Sequence, residues 1–130
     1  MYTPFTSGVA EETGDAVTQG DAAQTSDIVR ESFRIVTADG SRPVDGSGIK
    51  IGVISNSFDA NLPEPGQPTN EAIDVGNRDL PGTKGIGNPI YDTPVQVLKD
   101  YPYTFSQISD EGRAMLQIAH DIAPGASLAF

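Results

Sequence analysis

The feature that most constrains the fold is a run of seven residues, Ile49 to Ser55 (IKIGVIS), in which β-branched and apolar residues predominate. A short strand that is apolar at most positions is typical of a parallel sheet covered on both faces. The turn-rich segment ADGSRPVDGSG (38–48) precedes this run. The run therefore predicts a strand buried on both faces within an α/β fold.

The segment before this strand divides in two. Residues 1–26 mix small, polar and acidic residues without periodicity, which predicts a disordered acidic leader. Residues 27–130 are then the folded part of the chain. Ser26 or Asp27 can cap a short helix that extends to about Val36. The apolar positions of this helix are Ile28, Val29, Phe33 and Val36.

The segment after the strand is rich in proline and glycine between residues 59 and 94. This composition predicts a long surface loop with one helical turn near residues 70–75. Residues 93–98 (TPVQVL) indicate a second strand. Pro94 is compatible only with the first residues of a strand or with an edge position, because proline cannot donate a ladder hydrogen bond.

A helix is predicted to begin at Ser109, whose hydroxyl can cap the first turn, while Asp110 and Glu111 complement the helix dipole. Pro124 and Gly125 stop it, and residues 126–130 begin a third strand. The order of elements indicates α/β with a parallel sheet, whose last strand has no partner yet in this sequence. The predicted buried stripe of the helix is Met115, Ile118, Ala119 and Ile122.

The composition excludes several functional classes. Lysine and arginine total 8 against 18 acids, and the net charge of −10 argues against nucleic-acid binding because it repels phosphate. The absence of cysteine excludes disulfides and thiolate metal sites. No apolar run approaches the roughly 20 residues that a membrane span needs.

Glu111 is the first candidate for chemistry. It lies four residues before Met115, on the face of the predicted stripe, and is therefore directed toward the sheet edge where open α/β sheets bind ligands. A partly desolvated carboxylate in that place could act as a general base. The alternative is a first-turn acid that only complements the helix dipole.

The second candidate is the polar segment that follows the first strand, residues 55–59 (SNSFD). Side chains at the carboxyl end of a buried strand lie at the mouth of the same cleft. The alternative is an Asx or Ser turn that ends the strand. His120 is the only histidine, has no accompanying metal-ligand spacing, and is assigned no catalytic role.

The glycine clusters do not have the placement of a nucleotide site. A phosphate-binding loop follows a strand and opens a helix. Residues 46–48 (GSG) precede the strand, and residues 82–87 (GTKGIG) lead into Asn-Pro-Ile. A dinucleotide site is therefore not supported.

Two segments together resemble the subtilisin/sedolisin superfamily of serine peptidases. Residues 44–59 (VDGSGIKIGVISNSFD) are similar to the strand that ends in the catalytic aspartate of subtilases. Residues 110–130 (DEGRAMLQIAHDIAPGASLAF) look like the following helix, Ala-Pro-Gly-Ala turn and strand, and are closest to the sedolisin-like branch. The two segments together make up 37 of the 130 residues of the chain. It implies a subtilisin-like three-layer α/β domain, of which residues 27–130 would be the amino-terminal part.

The resemblance also implies roles for individual residues. Glu111 falls where subtilisins have the catalytic histidine and sedolisins the catalytic glutamate. The supporting aspartate of sedolisins, four residues later, is replaced by Met115. The aspartate at the end of the first strand falls on Ser55 or Asn56, and Asp59 is the nearest carboxylate. Asn56 and Asp59 are therefore the candidates for a third catalytic member.

The implied function is that of a serine endopeptidase acting on protein or peptide substrates. In this superfamily the nucleophilic serine lies further along the chain, so we expect these residues alone not to hydrolyse peptides and to need the remainder of the peptidase domain. The resemblance further implies activity at low pH, a secreted or cell-surface location and calcium as the one candidate cofactor. The alternatives are a non-catalytic, subtilase-like binding or surface module and an unrelated Rossmann-like binding domain.

Overall fold

A computed structural model shows a small protein of mixed helices and sheets, and it describes residues 19–61, 63–82, 92–102 and 108–130. The described strands form two two-stranded sheets. The elements in chain order are α1 (Gln19–Gln24), α2 (Ser26–Ser32), β1 (Arg34–Thr37), β2 (Gly40–Pro43), β3 (Lys50–Gly52), α3 (Asn70–Asn77), α4 (Glu111–Ile122) and β4 (Ser127–Ala129).

The parallel sheet is built around β4. On one side β4 pairs in parallel with β3, where Gly52 is the partner of Ala129. On the other side Gln96 forms a parallel bridge to Ala129, and the Leu98 N–H donates to the Phe130 carbonyl. The expectation that the last strand has no partner is wrong, because the chain returns after α4 between two segments that precede it.

The covered face of this sheet packs on α4. Leu116 of α4 is fully buried and belongs to one core cluster with Leu128 of β4. Ile51 and Val53 pack against this cluster, whereas the side chain of Ile54 is 99% exposed. The expectation that the strand is buried on both faces is therefore wrong for the described residues, because the face opposite α4 stays open. The buried core is completed by Phe58, Leu80, Val95 and Ala126.

The buried face of α4 differs from the predicted stripe. Gly112, Leu116 and His120 are the buried residues of the helix. Met115 and Ile118 are 44% and 45% exposed. The helix is rotated in this way because Gly112, which has no side chain, allows close approach to the sheet. The predicted cap is also displaced by one residue, since Asp110 rather than Ser109 occupies the N-cap position.

The amino-terminal part of the described chain begins within the predicted leader. Residues 1–18 lie outside the described residues, and the last part of that segment forms α1. Arg30 of α2 forms an ion pair with Asp21 of α1 and donates to the Ile122 carbonyl at the end of α4. The disordered leader and the domain boundary at residue 27 stay predictions, although α1 lies within the segment predicted as the leader.

The predicted helix from Ser26 to Val36 ends early. It begins at Ser26, because Thr25 and not the predicted Ser26 or Asp27 occupies the N-cap position. It stops at Ser32, and the chain then turns back as the antiparallel β1–β2 hairpin. Val36 pairs with Ser41 and its side chain is 83% exposed. The four apolar residues of this region therefore do not form a helical core face.

The helical turn predicted near residues 70–75 is confirmed as α3. The Thr69 side chain caps it by accepting from the Ala72 N–H at 3.1 Å. The helix ends at Asn77, where Arg78 adopts a left-handed conformation. Within the long predicted loop, residues 83–91 lie outside the described residues.

Candidate active site

The structure brings Glu111 together with the segment that follows β3. The Ser55 Oγ donates a hydrogen bond to the Glu111 Oε2 at 3.1 Å. Glu111 is the first residue of α4 and is exposed, whereas Ser55 is half-buried. The contact lies beyond the carboxyl ends of β3 and β4, the edge at which open parallel sheets bind ligands.

Ser57 fixes the first turn of α4 against the segment after β3. The Ser57 side chain is fully buried. Its Oγ donates to the Asp110 Oδ1 and accepts from the Asp110 N–H, both at 2.8 Å. Its carbonyl accepts from the Gly112 N–H at 2.9 Å. Because these bonds flank Glu111 on both sides in sequence, they determine where its backbone lies.

Asp110 is a buried charge at the centre of this contact. It adopts a left-handed conformation with φ 49° and ψ 34°, and it is 3% exposed. Its carboxylate accepts from the Ala60 N–H at 2.9 Å, the Asn61 N–H at 3.3 Å and the Arg113 Nη1 at 2.9 Å. Burial acts to raise the pKa of Asp110, but the hydrogen bonds from Ser57, Arg113 and Ala60 outweigh it, so the pKa lies below its usual value.

Asp100 holds the other half of the same loop. Its carboxylate accepts from the backbone N–H groups of Phe58 and Asp59, each at 2.8 Å, and from the Tyr101 N–H at 2.7 Å. We name residues 57–61 the anchored loop. The backbone N–H groups of residues 58–61 all donate hydrogen bonds to the carboxylates of Asp100 and Asp110. No local sequence signal marks Asp100, because its loop partners lie 41 and 42 positions earlier.

Arg113 joins the anchored loop to α3. Its Nη1 donates to the Phe58 carbonyl at 2.6 Å and to the Asp59 Oδ1 at 3.2 Å, and its Nε donates to the Asp74 Oδ2 at 2.7 Å. Asp59 also accepts from the Glu71 N–H in the first turn of α3. Asp59, a candidate third catalytic member, is thus bonded to Arg113 and α3, and none of the described contacts joins it to Glu111.

The other predicted positions lie close in sequence to the Ser55–Glu111 contact. Asn56 is exposed and lies between Ser55 and the anchored loop. Met115 is one turn after Glu111 on α4 and brings no carboxylate to the site. Of the residues that the resemblance aligns with the family's acids, Ser55 is therefore the one with a described bond to Glu111.

The acids around Arg113 are held by amides and the guanidinium rather than arranged for a metal. Burial raises the pKa of Asp74, although Arg113 acts in the opposite direction. Burial and then the charge of Asp59 raise the pKa of Glu71. In the parts of the chain that the structure describes, no group of three or more His, Asp and Glu side chains could hold a metal ion.

His120 lies on the buried side of α4 and is 7% exposed. Burial lowers the pKa of His120 from its usual 6.5, while the charges of Asp121 and Asp79 partly oppose this shift. The unfolded chain therefore takes up a proton at this residue at a higher pH than the folded chain does. The stability that depends on neutral His120 is present above pH 6.5 and is lost as the pH falls below it.

We expect the free energy of unfolding to decrease between pH 7.5 and pH 5.5, and to decrease less in His120→Gln, because glutamine cannot ionise. Urea unfolding followed by circular dichroism at the two pH values measures the difference. The raised pKa values of Glu71 and Asp74 act in the opposite direction at lower pH, since protonation of these acids favours the folded state. An equal decrease in both proteins would show that another group titrates.

Comparison of the chain with known protein families, with curated proteins and with solved structures found no match. Among the described residues, no helix has the length and apolar character to cross a membrane. What the chain does is therefore inferred from the geometry around Glu111 and from the resemblance of residues 44–59 and 110–130.

Proposed function

We propose that this chain is the amino-terminal part of a subtilisin/sedolisin-type serine endopeptidase domain in which Glu111 is the general base. The observation that supports this most is the position of Glu111. It is the exposed first residue of α4, beyond the carboxyl ends of two parallel strands, and Ser55 bonds one of its two oxygens. The finer fold that we propose is the three-layer subtilisin-like domain, to which the parallel sheet and α4 would belong.

In this mechanism the Glu111 carboxylate takes the proton from a serine hydroxyl as the serine attacks the peptide carbonyl. The same carboxyl group then gives the proton to the departing amine. The nucleophilic serine is supplied by the remainder of the peptidase domain. Because a carboxylate stays ionised in mildly acidic solution, activity is expected at low pH. Export to a secreted or cell-surface location belongs to the same proposal.

The proposal is tested on the full-length gene product that contains this chain. We expect a fluorophosphonate probe to label its active serine and the protein to cleave a peptide substrate. We expect Glu111→Gln to lower both rates by at least ~100-fold, because glutamine keeps the shape but cannot accept the proton. The matched control is Glu31→Gln, which removes an exposed carboxylate on α2 and leaves both rates unchanged.

A second candidate function is a non-catalytic binding or surface module. It is favoured by the environment of Glu111, where the acids Asp59, Asp100 and Asp110 bond Arg113 or backbone amides in the contacts described above. If the catalytic site had been lost during evolution, Glu111 could remain without an acid bonded to it, as in the described contacts. Failure of the full-length wild-type protein to react with the probe and to cleave peptides would favour this module over the enzyme.

A further inference from the structure

The described partner of Glu111 is a hydroxyl group rather than an acid. The Ser55 Oγ lies 3.1 Å from the Glu111 Oε2. Three acids on neighbouring segments have other bonds. Asp110 accepts from Ser57, Asp59 from Arg113, and Asp100 from the amides of the anchored loop. Ser55 is therefore the candidate for the residue that orients Glu111.

We propose that Ser55 is the positioning residue of this site and that the site works with one ionisable carboxylate in place of a coupled pair of acids. The Ser55 hydroxyl holds Oε2 of Glu111 and leaves Oε1 to receive the proton of the nucleophile. This inference rests on the proposed function, and it adds how the base is oriented in a chain that has no acid at positions 55, 56 and 115.

The backbone fixes Ser55 on both sides. Two residues earlier, the Val53 N–H donates to the Ala129 carbonyl and continues the pairing of β3 with β4. Two residues later, the buried Ser57 is bonded to Asp110 and Gly112. A short segment between two fixed points can hold a hydroxyl in one place, which is what orienting a side chain requires.

A hydroxyl suits this role in both protonation states of Glu111. It donates to Oε2 of the carboxylate, and it can go on donating to Oε2 after Oε1 takes the proton, because Oε2 is then the carbonyl oxygen of the acid. An acid at the same distance would instead repel the carboxylate or share its proton. Four charged residues near the start of α4 have described contacts, and these contacts join them to one another or to backbone amides. They are Asp110, Arg113, Asp59 and Asp100.

The experiment measures kcat and KM for peptide cleavage between pH 3 and pH 8 in the full-length gene product. We expect Ser55→Ala to lower kcat by about tenfold at an unchanged KM, because the orientation of the base is lost while substrate binding is kept. We expect Ser55→Thr, which keeps the hydroxyl, to retain kcat within about threefold. Ser41→Ala, on the exposed hairpin, is the matched control and leaves both constants unchanged.

Ser55→Asp tests the electrostatic part of the proposal. Two carboxylates at hydrogen-bond distance titrate as a coupled pair. We therefore expect the acid limb of log kcat against pH to move to higher pH in this variant, because repulsion between the two carboxylates makes the second proton of the pair harder to remove. Circular dichroism of every variant establishes that it is folded.

The outcomes separate the two proposals. An active wild-type protein with the expected losses supports the role of Ser55. An active wild-type protein whose Ser55→Ala variant has the wild-type kcat, or whose Ser55→Asp variant keeps the acid limb at the wild-type pH, overturns the role of Ser55 alone. A wild-type protein that neither cleaves peptides nor reacts with the fluorophosphonate overturns the proposed function, and the role of Ser55 with it.

Discussion

Replacing Asp110 by alanine is expected to lower the free energy of unfolding by about 3–5 kcal/mol, because several hydrogen-bond donors lose their acceptor together. Arg113 loses one of its three carboxylate partners and keeps Asp59 and Asp74. The carboxylate accepts from the side chains of Ser57 and Arg113 and from two backbone amides of the anchored loop. A loss of this size is a large part of the 5–15 kcal/mol that typically stabilises a domain. Urea unfolding followed by circular dichroism measures it.

Two further variants test whether the loss of stability is specific to the charge and the position of Asp110. Asp110→Asn keeps one acceptor oxygen and tolerates the left-handed conformation, so we expect a smaller loss than with alanine. Glu111→Ala removes the neighbouring but exposed acid, and we expect it to change the stability by less than ~1 kcal/mol. If Asp110→Ala were as stable as Glu111→Ala, the anchored loop would not depend on this carboxylate.

Replacing Gly112 by alanine is expected to destabilise the chain by at least ~2 kcal/mol, even after the ~1 kcal/mol that alanine gains over glycine in a helix. An added Cβ would overlap the ring of Phe130 at Cε2 and would lie 2.8 Å from the Ser57 carbonyl. The ring can turn, but the carbonyl is backbone and accepts the Gly112 N–H. Relief of the overlap therefore has to move α4 away from the sheet.

Gly76→Ala is the matched control for this substitution. Gly76 also lies in a helix, α3, but nothing lies within 4 Å of an added Cβ there. We expect this variant to be more stable than the wild type by about 0.5–1 kcal/mol, because alanine restricts the unfolded chain. Urea unfolding of the two variants side by side measures the difference, and equal effects would mean that α4 tolerates a methyl group at Gly112.

The elements that the sequence predicts well are those with local signals. The strand after Gly48, the turn of helix capped at Thr69 and the helix that begins near Asp110 all have turn or capping residues beside an apolar run. The observed buried face of α4 is displaced by one residue from the predicted stripe, for example from Met115 to Leu116. The prediction counted only hydrophobic residues and therefore gave no weight to Gly112. In the structure the close approach at Gly112 determines which side of the helix meets the sheet.

The anchored loop could not be predicted in this way. Its hydrogen bonds join Ser57 to Asp110, 53 positions apart, and Phe58 to Asp100, 42 positions apart. Acidic residues are common in this chain, and neither aspartate belongs to a recognisable spacing. Glu111 could be proposed from its place at the start of a helix. Its hydrogen bond with Ser55 could not be predicted, because the two residues are 56 positions apart.

The central position of β4 also determines the order in which the sheet can form. Lys50 of β3 pairs with Ser127, which is 77 positions further along the chain. Gln96 also pairs with β4, through its parallel bridge to Ala129. During synthesis the two flanking segments emerge before the strand that joins them. Loop closure over such distances costs entropy before any contact compensates for it, so parallel pairing is intrinsically slow. Until β4 is made, Ile51 and Val53 expose apolar surface that packs against the core in the folded chain, and a nascent chain of this kind is one that chaperones would protect.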